Sequence, residues 1–306
     1  METLAAVLVT VIGAATPLVF AAIGELVAEK SGVLNLGVEG MMLIGAVAAF
    51  AVALTSGSAI LGILAGAGAG AILAFVFALL TLTLLANQVA AGLALTIFGI
   101  GVSALIGRGF VGIPLQRLPQ LDLPGLSDLP VIGTLLFGHD FLVYLSILLI
   151  PATIWFLDRS RAGLILRSIG ENHAAAHALG HPVIVVRYLA VMFGGAMAGL
   201  GGAYLSLAYT PMWAENMTAG RGWIALALVV FATWRPGRLL VGAYLFGGIT
   251  VAQLHVQGFG FDIPSQFLSM LPYVATIAVL VAISADGTRA RLNAPGSLGR
   301  IFHPDA

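Results

Sequence analysis

Four short segments hold most of the side chains that can bind, stack or exchange protons. The first, residues 24–40, reads GELVAEKSGVLNLGVEG and carries Glu25, Glu29, Lys30, Asn35 and Glu39 among glycines. The second, residues 213–221, reads WAENMTAGR. It sets an aromatic (Trp213), a carboxylate (Glu215), an amide (Asn216), a hydroxyl (Thr218) and a guanidinium (Arg221) in nine positions. Such a set can stack on and hydrogen-bond a polar ring or a sugar. The third is the pair Asn87 and Gln88. The fourth, residues 167–182, reads RSIGENHAAAHALGHP and is alanine-rich at its centre. All of this is hydrogen-bonding, stacking and docking chemistry.

Covalent chemistry finds no matching residues. There is no cysteine, hence no disulfide, thiolate or cysteine-bearing metal site. No HExxH or GxSxG set is present. His173 and His177 stand at i, i+4, but HxxxH alone lacks the further ligands a metal needs, so no metal or catalytic residue is expected. The single lysine, Lys30, follows Glu29 and ends no phosphate-cradling glycine loop. If ATP drives this chain, the motor, with its ATP and magnesium, sits on another subunit, and this one is expected to carry no cofactor. The formal net charge is zero, which gives no basic field for nucleic acid.

These polar groups are set in an apolar frame. Of 306 residues 60% are hydrophobic and 8% charged, against about a quarter charged in soluble domains. A bilayer core needs roughly 20 apolar residues in helix. Nine spans are predicted, near 4–28, 38–54, 59–85, 89–106, 140–157, 188–209, 222–234, 239–255 and 265–283. The chain thus reads as one all-α membrane domain, 1–306, a polytopic bundle of about nine spans. No basic n-region precedes the first run, which is expected to be kept as a helix rather than cleaved. The run 222–234 is short and is either extended by the preceding loop or a half-helix. Ten of the thirteen basic residues fall on one side of this arrangement. By the positive-inside rule that side is cytoplasmic, with the N-terminus outside and the C-terminus inside. The inner side then holds the loop 158–187 and the tail 284–306. The outer loop 107–139, with Pro114, Pro119, Pro124 and Pro130 besides Asp122 and Asp128, is expected to pack as a lid.

On this topology the polar segments acquire places. Alternating Val, Leu and Gly over 33–38 reads as backbone re-entering the membrane, which is tolerated only beside a cavity or inside protein. An ordinary cytoplasmic turn is the competing reading. The segment 213–221 is either a binding element or an outer loop anchored by Trp213. The two lie on opposite sides of the membrane, the arrangement inverted repeats produce. Asn87 and Gln88 make either a pathway contact or a short inner turn. A helix is predicted over 171–179, ended by Gly180 and Pro182, as a docking knob in the largest inner loop. Small-residue runs at 62–70 and 194–202 let helices approach closely.

Three segments together, GELVAEKSGVLNLGVEGMMLIGA, RSIGENHAAAHALGHPVIVVRY and ENMTAGRGWIALALVVFATWRPG, resemble the permeases of ABC importers for branched-chain amino acids, simple sugars and nucleosides. The tail NAPGSLGRIF is similar to the family's usual ending. The resemblance covers about residues 13–300 and is nearest to the nucleoside branch. It implies an inner-membrane permease working with a separate ATPase, a second and different permease chain, and a periplasmic or lipoprotein receptor. Its coupling motif is matched by Ala175, Ala176 and Gly180, within a region holding Gly170, Glu171 and Asn172. Its broken segment is matched by Asn35, Gly37, Glu39 and Gly40, and it adds weight to Glu215, Asn216, Thr218 and Arg221. His173 and His177 depart from the pattern and are candidates for pH-sensitive docking.

The expected function is ATP-driven import. Asn35, Gly37, Glu39, Asn87, Trp213, Glu215, Asn216, Thr218 and Arg221 line the solute path, and Gly170, Glu171, Asn172, Ala175, Ala176 and Gly180 couple to the ATPase. Nucleosides rank first as solute, then simple sugars, then branched-chain amino acids. The alternative is a gradient-driven carrier with Glu25 and Glu39 as proton relays.

Overall fold

A computed structural model gives the architecture; it describes residues 2–121, 132–258, 267, 270–284 and 293–303. Asp122, Pro124, Asp128, Pro130, Arg289 and Arg291 lie outside the described residues, as does the start of the ninth expected span.

The elements are helical throughout. They are α1 (Glu2–Lys30), α2 (Val38–Ser56), α3 (Ala59–Ala78, continued by a π turn to Thr83), α4 (Gln88–Gly107) and α5 (Ile132–Phe137). Then come α6 (Phe141–Arg159), α7 (Arg161–Glu171), α8 (His173–Ala178) and α9 (Val183–Tyr204, continued by a π turn to Tyr209). Last are α10 (Arg221–Phe231), α11 (Pro236–Gly258) and α12 (Leu271–Ser284). Among the described residues seven helices are long and apolar enough to cross a membrane, and α10 is a shorter apolar one. Large apolar side chains such as Ile97, Leu105 and Leu148 point outward, as expected for faces turned to lipid or a partner chain and not to water.

α9 is the mast of the bundle, packed by α1, α2 and α3. Helices in lipid gain little from burying oil against oil, so close backbone contact must supply the cohesion. The two small-residue runs do this by meeting each other. A Cβ at Gly70 or Gly199 would overlap the carbonyl oxygens of Gly195 and Gly66 across the α3–α9 seam. Gly202 is as tightly held against Met42 of α2, and Gly24 of α1 lies on Gly194.

α4 measures depth. Gln88 at its start accepts from the Leu34 amide at 2.9 Å, and Thr96 at its middle donates to the Leu36 carbonyl at 2.9 Å. Gly40 packs on Leu95 and Thr96. The chain 31–37 therefore climbs beside α4 from one end to its centre, and α2 starts there. At the other end Gly107 is covered by the Trp213 indole. From Trp213 the chain descends to Gly222, which packs on Glu39. α10 starts at that depth and its 11 residues span about 16 Å, half a bilayer core. It ends at Phe231, and in the turn just beyond it Trp234 Nε1 donates to Glu29 near the end of α1 at 2.5 Å. The short seventh span is thus a half-helix, and the non-helical part of the first polar segment is only 31–37. Glu25, Glu29 and Lys30 belong to α1: each side chain meets a partner outside the helix, Asn35, Trp234 and Asn293, although Glu25 Oε2 is left without one.

The inner loop also differs in detail from one helix over 171–179. It is two helices, α7 and α8, broken at Asn172, whose Oδ1 accepts from the Ala175 amide at 3.0 Å and caps α8.

Candidate functional site

The two re-entrant stretches meet at one carboxylate. Glu39, in the first turn of α2, accepts on Oε1 from Thr218 Oγ1 at 2.5 Å and from the Gly220 amide at 2.9 Å. Its Oε2 accepts from the Gly222 amide at 2.6 Å. Gly220, the residue before α10, has φ +80, a left-handed backbone natural only to glycine. That conformation turns two alternate amides of the α10 start, those of Gly220 and Gly222, toward the carboxylate, while the Arg221 amide between them donates to the Thr218 carbonyl. Glu39 is thereby the N-terminal cap of a helix 180 positions away in sequence, with both oxygens used. Two helix N-termini, each partially positive, face one buried negative charge. Arg221 lies alongside, its Nη1 donating to the carbonyls of Met217 and Thr218 at 3.2 Å. Its guanidinium stands 5.8 Å from the centre of the Tyr209 ring.

The remaining expected pathway residues fall in different surroundings. The Asn35 amide donates to Glu25 Oε1 at 3.0 Å, and its side-chain oxygen accepts from the Gly37 amide at 2.9 Å. Both Asn35 and Gly37 hold the strap 31–37 in its bent course. Trp213 is buried among Leu43, Val47 and Phe50 with no hydrogen-bond partner for its Nε1. Glu215 and Asn216 are exposed, Asn216 at φ +54. Asn87 is exposed at the far end of α4 and caps it, accepting from the Ala90 amide at 3.0 Å. The structure thus unites Glu39, Thr218 and Arg221, keeps Asn35 and Gly37 one turn of chain away, and leaves Asn87 at one end of the bundle.

At that same end lies the helix expected to be a docking knob. Ala176 turns inward onto Ile169, Val183 and Phe302. Glu171, Asn172, Ala175 and Gly180 turn outward, and Leu179 is 78% exposed. Gly180 has φ +84 and open space around it. Gly170 is pressed onto the Lys30 carbonyl. The tail ties this knob to the strap. The Ser297 amide donates to the Gly170 carbonyl at 2.8 Å, and the Gly299 amide to the Gly32 carbonyl at 3.1 Å. Arg187 Nε donates to the Ser31 carbonyl at 3.0 Å. Phe302 is set edge-on between His173 and His177, at 5.2 and 5.3 Å between ring centres. Burial, then the charges of Arg187 and Arg300, push the His173 imidazole below its ordinary value, so it is held neutral.

Three participants escaped the sequence reading. Gly220 and Gly222 contribute backbone donors, signalled only by the glycine pair around Arg221. Trp234 partners Glu29, and the tail residues Ser297, Gly299 and Phe302 partner the knob. No local pattern announces either contact.

Residues 7–280 match the family described as the branched-chain amino acid transport system permease component. The chain belongs to this family. The permease is 41% identical, over 99% of both chains, to a putative glucose ABC transporter permease protein of Haloferax volcanii. It is 33% identical to a nucleoside ABC transporter permease protein of Lactococcus lactis, over 94% of this chain and 97% of that one. It is 32% identical to a guanosine ABC transporter permease protein of Bacillus subtilis, over 90% of this chain and 92% of that one. It is accordingly a multi-pass membrane subunit of an ABC transporter and not an enzyme; ATP is hydrolysed by a separate ATPase, and the family works with ATPase and binding-protein partners.

Proposed function

We propose that the permease, paired with a second and different permease chain in the inner membrane, forms the path for a neutral, hydroxyl-rich solute: a nucleoside or a simple sugar. A receptor delivers the solute to the side where Trp213 lies, and α8 seats in the ATPase on the other, with the C-terminus cytoplasmic. ATP and magnesium reside on the ATPase, and this chain holds no cofactor. The observation that carries the reading is the junction at Glu39. Two re-entrant stretches entering from opposite ends abut there, as in transporters built on broken helices. Its carboxylate is matched by helix ends and by Arg221, so an uncharged solute passes no unbalanced charge at this depth. The solutes for which these relatives are named, glucose, nucleoside and guanosine, are all of that uncharged class, which supports sugar and nucleoside alike.

The test is uptake of labelled guanosine and glucose into vesicles holding the complete complex. Uptake should stop when ATP is removed and persist when the membrane potential is dissipated with ATP held constant. The reverse pattern would establish a gradient-driven carrier. For the coupling role, Ala175→Glu with Leu179→Glu should release the P-loop ATPase from the purified permease without unfolding it, because both side chains face outward.

A further inference from the structure

Two chemically different cavities follow one another along α6 and the start of α11, and we take them as the two halves of one groove. One half, of about 540 Å³, is lined by Ile147, Leu148, Ile150 and Pro151 of α6 and by Leu240 of α11. Leu148 is 64% exposed on its rim, so this half opens on the apolar outer surface of the bundle. One turn further along α6 the second half begins at Ile154, Leu157 and Asp158, a cavity of about 570 Å³. Its walls carry Lys30, Arg167, Arg235 and Arg238. On α11 the nearest lining residues of the two halves, Arg238 and Leu240, are two positions apart. One carboxylate, Asp158, stands against these four cations and pairs with Arg167 at 3.3 Å.

The cations are incompletely used within the chain. Lys30 Nζ donates to the Asn293 carbonyl at 3.0 Å, and Arg238 Nη1 to Thr233 Oγ1 at 2.9 Å. Arg167 Nε is buried with no hydrogen-bond partner. The Arg235 guanidinium has no hydrogen-bond or ion-pair partner among the described residues. α11 also starts on this wall, with Pro236 and Gly237 lining it, so its positive end adds to the field. Off the wall, Glu171 also acts on Lys30, and Glu29 is already taken up by Trp234.

We infer that this groove is a binding site for one anionic phospholipid, with an acyl chain between α6 and α11 and the headgroup phosphate among Arg167, Arg235 and Arg238. The apolar half is what separates a lipid from other anions. A free phosphate fills only the cationic cavity, and an acidic protein loop has no use for a channel of Leu, Ile and Pro. The inference concerns the lipid-facing wall of the permease and stands apart from the identity of its solute.

The purified transporter complex, in neutral detergent, is titrated with phosphatidylglycerol and with phosphatidylcholine of the same chains, and retained lipid is counted by native mass spectrometry. Phosphatidylglycerol should be kept in preference. Arg235→Gln with Arg238→Gln should weaken its retention on the order of thirtyfold, at about a factor of five per basic residue. Leu240→Trp, which fills the apolar half and spares every cation, should weaken it as well. Arg159→Gln with Arg161→Gln, charges at the same end but off the cavity wall, should not. Equal loss with both arginine pairs would reduce the effect to general surface charge and overturn the site. Retention that survives Leu240→Trp, or glycerol phosphate competing as well as the lipid, would leave a phosphate pocket without a lipid. Should the Arg235/Arg238 variant keep its lipid and shed the ATPase, the surface is a protein contact and the assignment fails. Elution of each variant as the intact complex excludes misfolding as the cause.

Discussion

Replacing Glu39 separates a structural carboxylate from a solute-binding one. Among the described residues its hydrogen bonds are three, from Thr218, Gly220 and Gly222, to a side chain that is 3% exposed. Glu39→Ala strands two backbone amides and a hydroxyl in a dry interior. At about 1–3 kcal/mol for each buried group left unpaired, and with the hydroxyl free to rotate toward another acceptor, the loss is roughly 3–6 kcal/mol. Glu39→Gln keeps one acceptor oxygen, which can still serve Thr218 and Gly220. Its NH2 is then set against the Gly222 N–H, donor to donor, and the loss of charge at the α10 end adds a helix-dipole deficit, together roughly 2–3 kcal/mol. The expected order of unfolding midpoints in detergent is wild type, then Gln, then Ala. Uptake should fall in the same order and recover on cooling. An unchanged midpoint with uptake abolished in Glu39→Gln would refute this reasoning, because the carboxylate would then be serving a solute or a proton and not the helix end.

Three further outcomes follow from the packing and the tail. Gly202→Ala places a methyl group on the Met42 carbonyl and should lower stability by at least about 1–3 kcal/mol, while Gly68→Ala, with open space around it, should leave yield and unfolding unchanged. Trp234→Phe removes the donor to a carboxylate oxygen of Glu29 and should cost about 1.5–3 kcal/mol in a denaturant titration; combined with Glu29→Gln the loss should be smaller than the sum of the two. His173 has a folded value below its ordinary 6.5, so the unfolded tail binds the proton first; the tail's stability is complete above pH 6.5 and declines as pH falls toward the folded value. Amide exchange at Ser297 and Gly299, corrected for intrinsic rate, should therefore quicken on acidification, and His173→Asn should flatten that dependence.

The frame was legible because hydropathy reports it directly. Spans such as 38–54 and 89–106 match α2 and α4 to within about two residues, since each apolar run ends at a glycine, an asparagine or a charge. The depth of the broken segments was also legible, since Gly32, Asn35 and Gly37 interrupt a run too apolar for a water-facing turn. What sequence concealed was pairing across distance. Glu25 and Glu29 looked like the edge of a loop because their partners, Asn35 and Trp234, are specified only once α1 lies beside the strap and the end of α10. Glu39 looked free to meet a solute because its donors are mostly backbone amides, and backbone amides carry no signature in residue type. Trp213 looked like a stacking platform; Gly107, 106 positions earlier, is what lets it sink into the core. Asn172 did carry a readable signal, an amide side chain directly ahead of an alanine run, which is the ordinary grammar of a helix start.

The tail deserves a mechanical description. Ser297 is bonded to the Gly170 carbonyl and Gly299 to the Gly32 carbonyl, and two residues of chain reach at most about 7 Å. That is a short tendon between α7 and the foot of the strap. If α8 shifts by more than the slack of one hydrogen bond, either the tendon parts or Gly32 is dragged along with it. A pull of that kind bypasses the long helices and arrives at the foot of the strap that leads to Glu39.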